Sequence, residues 1–252
     1  MSLLEERVAL VTGAGAGIGR ASALALAKAG ASVVVSDIDP DGGKSTVEAI
    51  LADGGRASFH QTDVTQPGQV QSAVEHAVST FGALHYAHNN AGILGPSAKL
   101  ADVAFEDFTK VVSINLTAVF TCMKYEIPAM IAAGGGSIVN TASYSGLVAV
   151  PFASAYVASK HGVVGLTKAA AVEYGRKGVR VNAVCPGTTR TQMNIQRAES
   201  SPDMAKAMID VTPMRRLAEP EEIAAAVVWL CSDAASFVNG HALPVDGGAV
   251  AQ

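Results

Sequence analysis

Long apolar runs are missing from the 252 residues. No uninterrupted stretch approaches the ~18 residues needed to span a bilayer, and Met1 to Arg7 is too short and too acidic for a secretory leader. The expected location is the cytoplasm, with no membrane partner. Charge is also scarce, at 16% of residues, and 18 Lys+Arg stand against 22 Asp+Glu for a formal net charge of −4. Without a basic cluster there is no electrostatic footprint for a polyanion, so no nucleic-acid partner is expected. Cysteine is rare: Cys122, Cys185 and Cys231 are odd in number and far apart, which excludes a disulfide framework, a zinc site or a redox motif and leaves buried, reduced thiols. Of the six histidines, His85 and His88 share one apolar stretch, but a strand sends residues three apart to opposite faces. No metal is expected. Repeats, linkers and low-complexity segments are absent too.

What is present is a 49% apolar chain with 25 Gly and 10 Pro, the composition of a globular protein whose strands are buried on both faces. Short β-branched runs at Val8 to Thr12, Ser32 to Ser36, Ala57 to Gln61, His85 to His88, Ser137 to Thr141 and Arg180 to Val184 alternate with helical stretches. The latter include Ile18 to Ala29, Pro67 to Phe81 and Ala155 to Gly175. A helix at Pro220 to Leu230 and a strand at Leu243 to Val245 add one more unit. Repeated βαβ units with right-handed crossovers make a doubly wound parallel sheet, an α/β Rossmann fold, as one domain over residues 1–252. Gly187 to Pro213 has weak periodicity and follows a strand end, where α/β folds bind ligands; it is expected to act as a mobile lid.

Between the first strand and its helix lies TGAGAGIG, Thr12 to Gly19. Glycine allows a tight turn and close approach of the backbone to a pyrophosphate, and the helix starting near Ile18 offers free N–H groups at its positive end. Gly13, Ala16, Gly17, Ile18 and Gly19 are the expected contacts. A plain strand-to-helix turn would also be glycine-rich, but Asp37 ends the second strand 18 residues after Gly19, where a carboxylate can accept the adenosine ribose hydroxyls. The same charge repels a 2′-phosphate, and neither Ala16 nor Ile38 is basic, which favours NAD over NADP. Asp63 and Val64 follow the third strand; Asn90, Ala91 and Gly92 follow the fourth. Their polar groups suit adenine or a neighbouring strand equally, and for Asn89 and Asn90 a structural role fits as well as cofactor contact.

Tyr156 and Lys160 in YVASK stand at i and i+4 in a segment that reads as helix, so both leave from one face. A tyrosine hydroxyl with pKa near ~10 is a poor base at neutral pH; an ammonium in a closed pocket is what makes it serviceable. Here the sequence resembles the short-chain dehydrogenase/reductase family, in its compact single-domain branch, over essentially the whole chain. The resemblance rests on TGAGAGIG, NNAG, Asn115 in INLTAVF, Ser143 in NTASYSG, YVASK and NAVCPGTTRTQM, in the family's order.

The resemblance implies that Ser143 bonds the substrate oxygen, Tyr156 transfers the proton, Lys160 tunes Tyr156 and holds the nicotinamide ribose, and Asn115 fixes a water relaying protons between Lys160 and solvent. Read alone, Asn115 is a polar residue inside an apolar helix. Pro186 and Gly187 would bend beneath the nicotinamide, and Thr189 and Thr191 would bind its carboxamide. His85 departs from the family's frequent aspartate, which touches local packing only. The family's substrate walls correspond to Leu94, Leu147, Val148, Val150, Phe152, Met193 and Ile195, with Arg190 the lone cation. Such a pocket suits a neutral, apolar or cyclic alcohol or ketone, although each of these residues reads equally well as core. A homotetramer assembled through helices that include Ala155 to Gly175 is also implied. A dinucleotide-sensing protein without turnover is the alternative, and it would lack Tyr156, Lys160 or Ser143. An epimerase or dehydratase would need more chain after the last strand-helix unit.

Overall fold

The computed structural model describes residues 4–200 and 202–251. Outside them fall the first three residues of the segment weighed as a leader, and Ser201 within the expected lid. Alternating burial builds the centre of the fold. In β1 (Val8–Thr12), Val8 and Leu10 enter one apolar cluster while Ala9 and Val11 enter the other. The same division in β2 (Ser32–Asp37) sends Val34 one way and Val33 and Val35 the other. Two buried faces on each strand are what near-continuous β-branched runs require.

Five further strands complete the sheet: β3 (Arg56–Gln61), β4 (Tyr86–Asn89), β5 (Gly136–Thr141), β6 (Val179–Pro186) and β7 (Ala242–Val245). All neighbours pair in parallel in the order β3-β2-β1-β4-β5-β6-β7. The order reverses between β1 and β4, so the crevice above their C-terminal ends is the topological switch point where such sheets bind ligands. One face carries α1 (Gly17–Lys28), α2 (Pro40–Ala52) and α9 (Pro220–Cys231) around Leu26, Ile50, Ile223 and Leu230; the other carries α3 (Pro67–Phe81), α5 (Ala118–Ala132) and α6 (Ser154–Tyr174) around Leu10, Met130 and Ile138. Each fully buried leucine or isoleucine contributes about 2 kcal/mol by leaving water.

Helix starts are marked by local chemistry. Asp39 accepts N–H bonds from Asp41 and Gly42 ahead of α2, whose first residue is Pro40. Glu219 and Glu222 exchange backbone and side-chain bonds at the start of α9. Beyond β4 the chain forms α4 (Phe105–Val112), a π-helical turn (Ser113–Thr117) and then α5. The weakly periodic segment after β6 forms α7 (Gln192–Ser200) and α8 (Pro202–Asp210). β4 starts at Tyr86, one residue later than its sequence suggests, and His85 Nδ1 accepts the Val8 N–H at 3.1 Å just ahead of it.

Candidate active site

The glycine turn after β1 has the shape its residues require. Gly13 has φ +62 and Gly17 φ +52, conformations that side chains resist. A Cβ on Gly19 would meet the Gly13 carbonyl oxygen at 2.0 Å, and one on Gly15 would meet Asp37 Oδ2 at 2.9 Å. Asp37 closes the turn: its Oδ2 accepts the Gly15 N–H at 2.7 Å and its Oδ1 the Asp39 N–H at 2.9 Å. Each oxygen has a second lone pair for a hydroxyl. Arg20 on α1 donates to Ser45 Oγ and Thr46 Oγ1 of α2.

Asn90 is a clamp on this turn. Its backbone N–H donates to Thr12 Oγ1 at 3.0 Å, and its Nδ2 donates to the Thr12 and Gly13 carbonyls at 3.2 and 3.1 Å. Asp63 lies two residues past β3, where its Oδ1 accepts bonds from the Thr65 N–H and Oγ1. Val64 and Ala91 pack in a small cluster with Val70, Ala118 and Cys122. Asn89, by contrast, faces away into the core, donating to Glu126 Oε2 and Asn140 Oδ1, both at 3.0 Å.

On the β5 and β6 side stand the chemical groups. Lys160 is 3% exposed, its Nζ donates to the Thr141 carbonyl at 2.7 Å, and the Tyr156 ring centroid lies 5.7 Å from that nitrogen. Burial pushes its pKa down to about 8, with Cys185 opposing. Near neutrality the ammonium persists. Ser143 is buried after β5, and its Oγ accepts the Ser145 N–H at 3.1 Å, so its own proton remains available to an oxygen in the crevice. Asn115 lies in the π-helical turn rather than in a regular helix, and it is fully enclosed: Oδ1 accepts the Ile93 N–H and Nδ2 donates to the Ile93 carbonyl, both at 2.8 Å, and to Ser159 Oγ at 3.2 Å. A Cβ on Gly92 would sit 3.1 Å from Asn115 Oδ1 and 3.6 Å from Lys160 Nζ, which puts Asn115, Gly92 and Lys160 at one spot.

Gly187 follows β6 so close to Asp246 that a Cβ would meet its Cα at 2.7 Å. Thr189 is buried and donates to the Gly187 carbonyl at 3.0 Å, while Thr191 reaches the glycine turn, its Cγ2 3.2 Å from where a Gly17 Cβ would stand. Gly17 and Thr191, far apart in sequence, are thereby brought to one crevice. Among the wall residues, Val148, Phe152 and Met193 are exposed, Leu94, Val150 and Ile195 are half-buried, and Leu147 packs on the core. Arg190 pairs with Glu219 at 2.9 Å.

Two buried groups at the site escaped the sequence reading. His88 on β4 has Nε2 2.8 Å from Thr141 Oγ1, and burial beside the Lys160 ammonium pushes its pKa down to about 3, so it is neutral. Thr141 thus holds Lys160 by its carbonyl and meets His88 by its hydroxyl. A polar residue inside an otherwise apolar buried strand was the available signal.

A dinucleotide fits these residues. The turn is a cradle that side chains would fill, α1 opens without an acid in its first turn, and Ala16 has no side chain to cap its N–H groups. The family model described as Enoyl-(Acyl carrier protein) reductase matches residues 13–250. Cyclohexanol dehydrogenase of Acinetobacter sp. (strain SE19) is 50% identical over 96% of this chain and 94% of its own. The chain belongs to the short-chain dehydrogenase/reductase family. It is an oxidoreductase of that family, which uses nicotinamide cofactors. Within the family, 2,5-dichloro-2,5-cyclohexadiene-1,4-diol dehydrogenase of Sphingobium indicum is 45% identical over 98% of both chains. The crystal structure of levodione reductase superposes with a TM-score of 0.95 at 39% identity, covering 99% of this chain and 100% of that one. The crystal structure of an Agrobacterium tumefaciens protein with bound NADP has a TM-score of 0.90 at 36% identity, covering 99% of this chain and 98% of that one. Among the described residues no helix is long and apolar enough to cross a membrane, and no cluster of His, Cys, Asp or Glu could hold a metal ion.

Proposed function

We propose that the protein interconverts a neutral secondary alcohol on a six-membered carbocycle and its ketone, using NAD(H), with Tyr156 as proton-transfer group. The carrying observation is the enclosed Lys160, tied to Thr141 with its ammonium nitrogen 5.7 Å from the Tyr156 ring, together with a buried Ser143 whose hydroxyl proton is unclaimed by its Ser145 bond. An ammonium held beside the ring in an enclosed site favours the charged form of a tyrosine hydroxyl over the neutral one. Ser143 donates to the substrate oxygen and places it beside Tyr156. In oxidation the phenolate of Tyr156 takes the hydroxyl proton as the carbinol carbon gives up its hydride; in reduction Tyr156 returns the proton to the carbonyl oxygen. Bound nicotinamide supplies the hydride acceptor or donor. Asn115 orders a water beside Lys160 that carries the proton onward.

Gly13, Ala16, Gly17, Ile18, Gly19 and Ala91 cradle the dinucleotide in this reading, and Asp37 accepts its ribose hydroxyls and repels a 2′-phosphate. The carbocycle is supported by the names of the two relatives and by apolar wall residues with Arg190 engaged elsewhere by Glu219. Exposed Phe120 and Ile131 on α5 and Val172 on α6 support assembly into a homotetramer. We place the protein in the cytoplasm. The test is NADH absorbance against a panel of cyclic and open-chain secondary alcohols and ketones, with an enoyl thioester as the competing arm. Turnover of cyclic alcohols is expected; turnover of the enoyl thioester alone would overturn the proposal.

A further inference from the structure

His88 stands on β4 in register with Val11 of β1 and Val139 of β5, and it is buried. An apolar side chain would fill that place without desolvating two ring nitrogens. Nε2 lies 2.8 Å from Thr141 Oγ1, and among the described residues Nδ1 has no partner. The neighbours decide where the ring proton sits. Asn90 Nδ2 donates to the Thr12 and Gly13 carbonyls, so its Oδ1 can only accept, and it faces the Thr141 hydroxyl at 3.5 Å. With its one proton given to Asn90, Thr141 Oγ1 accepts from His88, which puts the ring proton on Nε2 and leaves Nδ1 a bare acceptor. The opposite tautomer would bury an N–H without a partner. Donation therefore runs one way, from His88 to Thr141 to Asn90 to the glycine turn, and each bond polarises the next. The same Thr141 offers its carbonyl to Lys160 Nζ at 2.7 Å.

We propose that His88 is a positioning residue for hydride transfer: by donating to Thr141 it locks the residue that anchors Lys160 to the turn that cradles the dinucleotide, so that Tyr156 and the cofactor keep one spacing. With its hydroxyl engaged on both sides, Thr141 cannot turn its side chain, and the peptide that receives Lys160 is fixed relative to Asn90. Without the imidazole donor the hydroxyl is free to leave its 3.5 Å link to Asn90, the longest in the chain of bonds, and the lysine anchor is uncoupled from the cofactor turn. Small misplacements between reacting groups cost rate rather than fold. The inference rests on the proposed alcohol dehydrogenase activity.

The experiment compares wild type with His88→Leu, His88→Gln, Thr141→Val and the double variant His88→Leu/Thr141→Val. It measures kcat and KM for cyclohexanol at saturating NAD, NADH affinity by fluorescence titration, and thermal unfolding. His88→Leu fills an apolar site without a donor, so its Tm should stay within about 3 °C of wild type. Its kcat should fall about 5–10-fold and its NADH affinity about threefold, the weight of one buried hydrogen bond, while KM for cyclohexanol changes less than about twofold. Glutamine carries an amide nitrogen at the reach of Nε2 and should restore kcat to within about twofold of wild type. Thr141→Val removes the hydroxyl and keeps the carbonyl, so it should show the same loss, and the double variant should be worse than either single change by no more than about twofold. An unchanged kcat in His88→Leu and Thr141→Val would overturn the inference. So would losses that multiply in the double variant, or equal losses in the leucine and glutamine variants, which would assign His88 to packing alone. Should His88→Leu fail to fold, the glutamine and valine variants decide by the same criteria. A wild type inactive on cyclic alcohols would overturn the proposed function itself; NADH affinity unchanged in every variant would then overturn this inference as well.

Discussion

Replacing Glu126 by glutamine is expected to stabilise the protein at alkaline pH and to change it little in mild acid. Glu126 is fully buried on α5; its Oε2 accepts a bond from Asn89 Nδ2 at 3.0 Å, and among the described residues neither its Oε1 nor Asn89 Oδ1 has a partner. Burial raises its pKa from 4.5 to about 7, against the opposing Asn89 bond. The folded state thus holds this proton more tightly than the unfolded chain. Below the unfolded value both states are protonated and nothing is lost; as pH rises through the interval the unfolded state ionises first, and stability falls until the folded pKa is passed. The cost is about 1 kcal/mol at about pH 5 and about 3 kcal/mol at about pH 8. Glutamine does not titrate, and its amide can donate to Asn89 Oδ1 while its carbonyl accepts from Asn89 Nδ2. The stability difference between Glu126→Gln and wild type should therefore grow by about 2 kcal/mol between those pH values, or roughly 4–8 °C in Tm. Thermal unfolding of both proteins across that range measures it. A difference that stays constant with pH, or a variant less stable than wild type at about pH 8, would refute the reasoning.

Two further outcomes concern the cofactor and the lysine. Wild type should prefer NAD(H) to NADP(H) by roughly 10²-fold in kcat/KM, since one repelled charge costs about 3 kcal/mol, and Asp37→Ala should narrow that gap; steady-state kinetics with both cofactors checks it, and equal efficiency in wild type would contradict it. Lys160→Ala should lower turnover at neutral pH and weaken NADH binding, with partial recovery in strong alkali as an untuned tyrosine ionises, and a pH–rate profile parallel to that of wild type would show that Lys160 does not act through Tyr156.

Where local chemistry decided the structure, the sequence was readable. Glycine spacing between Thr12 and Gly19 foretold the turn because only glycine fits beside the Gly13 carbonyl and Asp37. The i, i+4 spacing of Tyr156 and Lys160 held because α6 is regular through both residues. Features set by tertiary packing were less legible. Lys124, Tyr125 and Glu126 are consecutive in an apolar helix, and nothing local says that the glutamate, rather than the exposed lysine, enters the core. Asn115 reads as an interruption of a helix, whereas a π-helical turn carries it to Ile93 and Ser159. Leu147, which reads equally well as wall or core, packs on the core, and the weakly periodic segment after Gly187, with its short helix-compatible run, forms the two helices α7 and α8. The helix α2 was not singled out at all, because Gly42 and Gly43 near its start mask the helical pattern that the Asp39 cap establishes.

The proton-transfer role of Tyr156 is tested most directly by Tyr156→Phe, which removes one hydroxyl and keeps the ring beside Lys160. Steady-state oxidation of an accepted alcohol is measured together with NADH affinity by fluorescence titration. Turnover should fall by ~10²-fold or more while NADH binding and Tm stay near those of wild type. A variant that binds NADH normally and retains near-normal turnover would contradict the assignment of Tyr156 as the acid/base group.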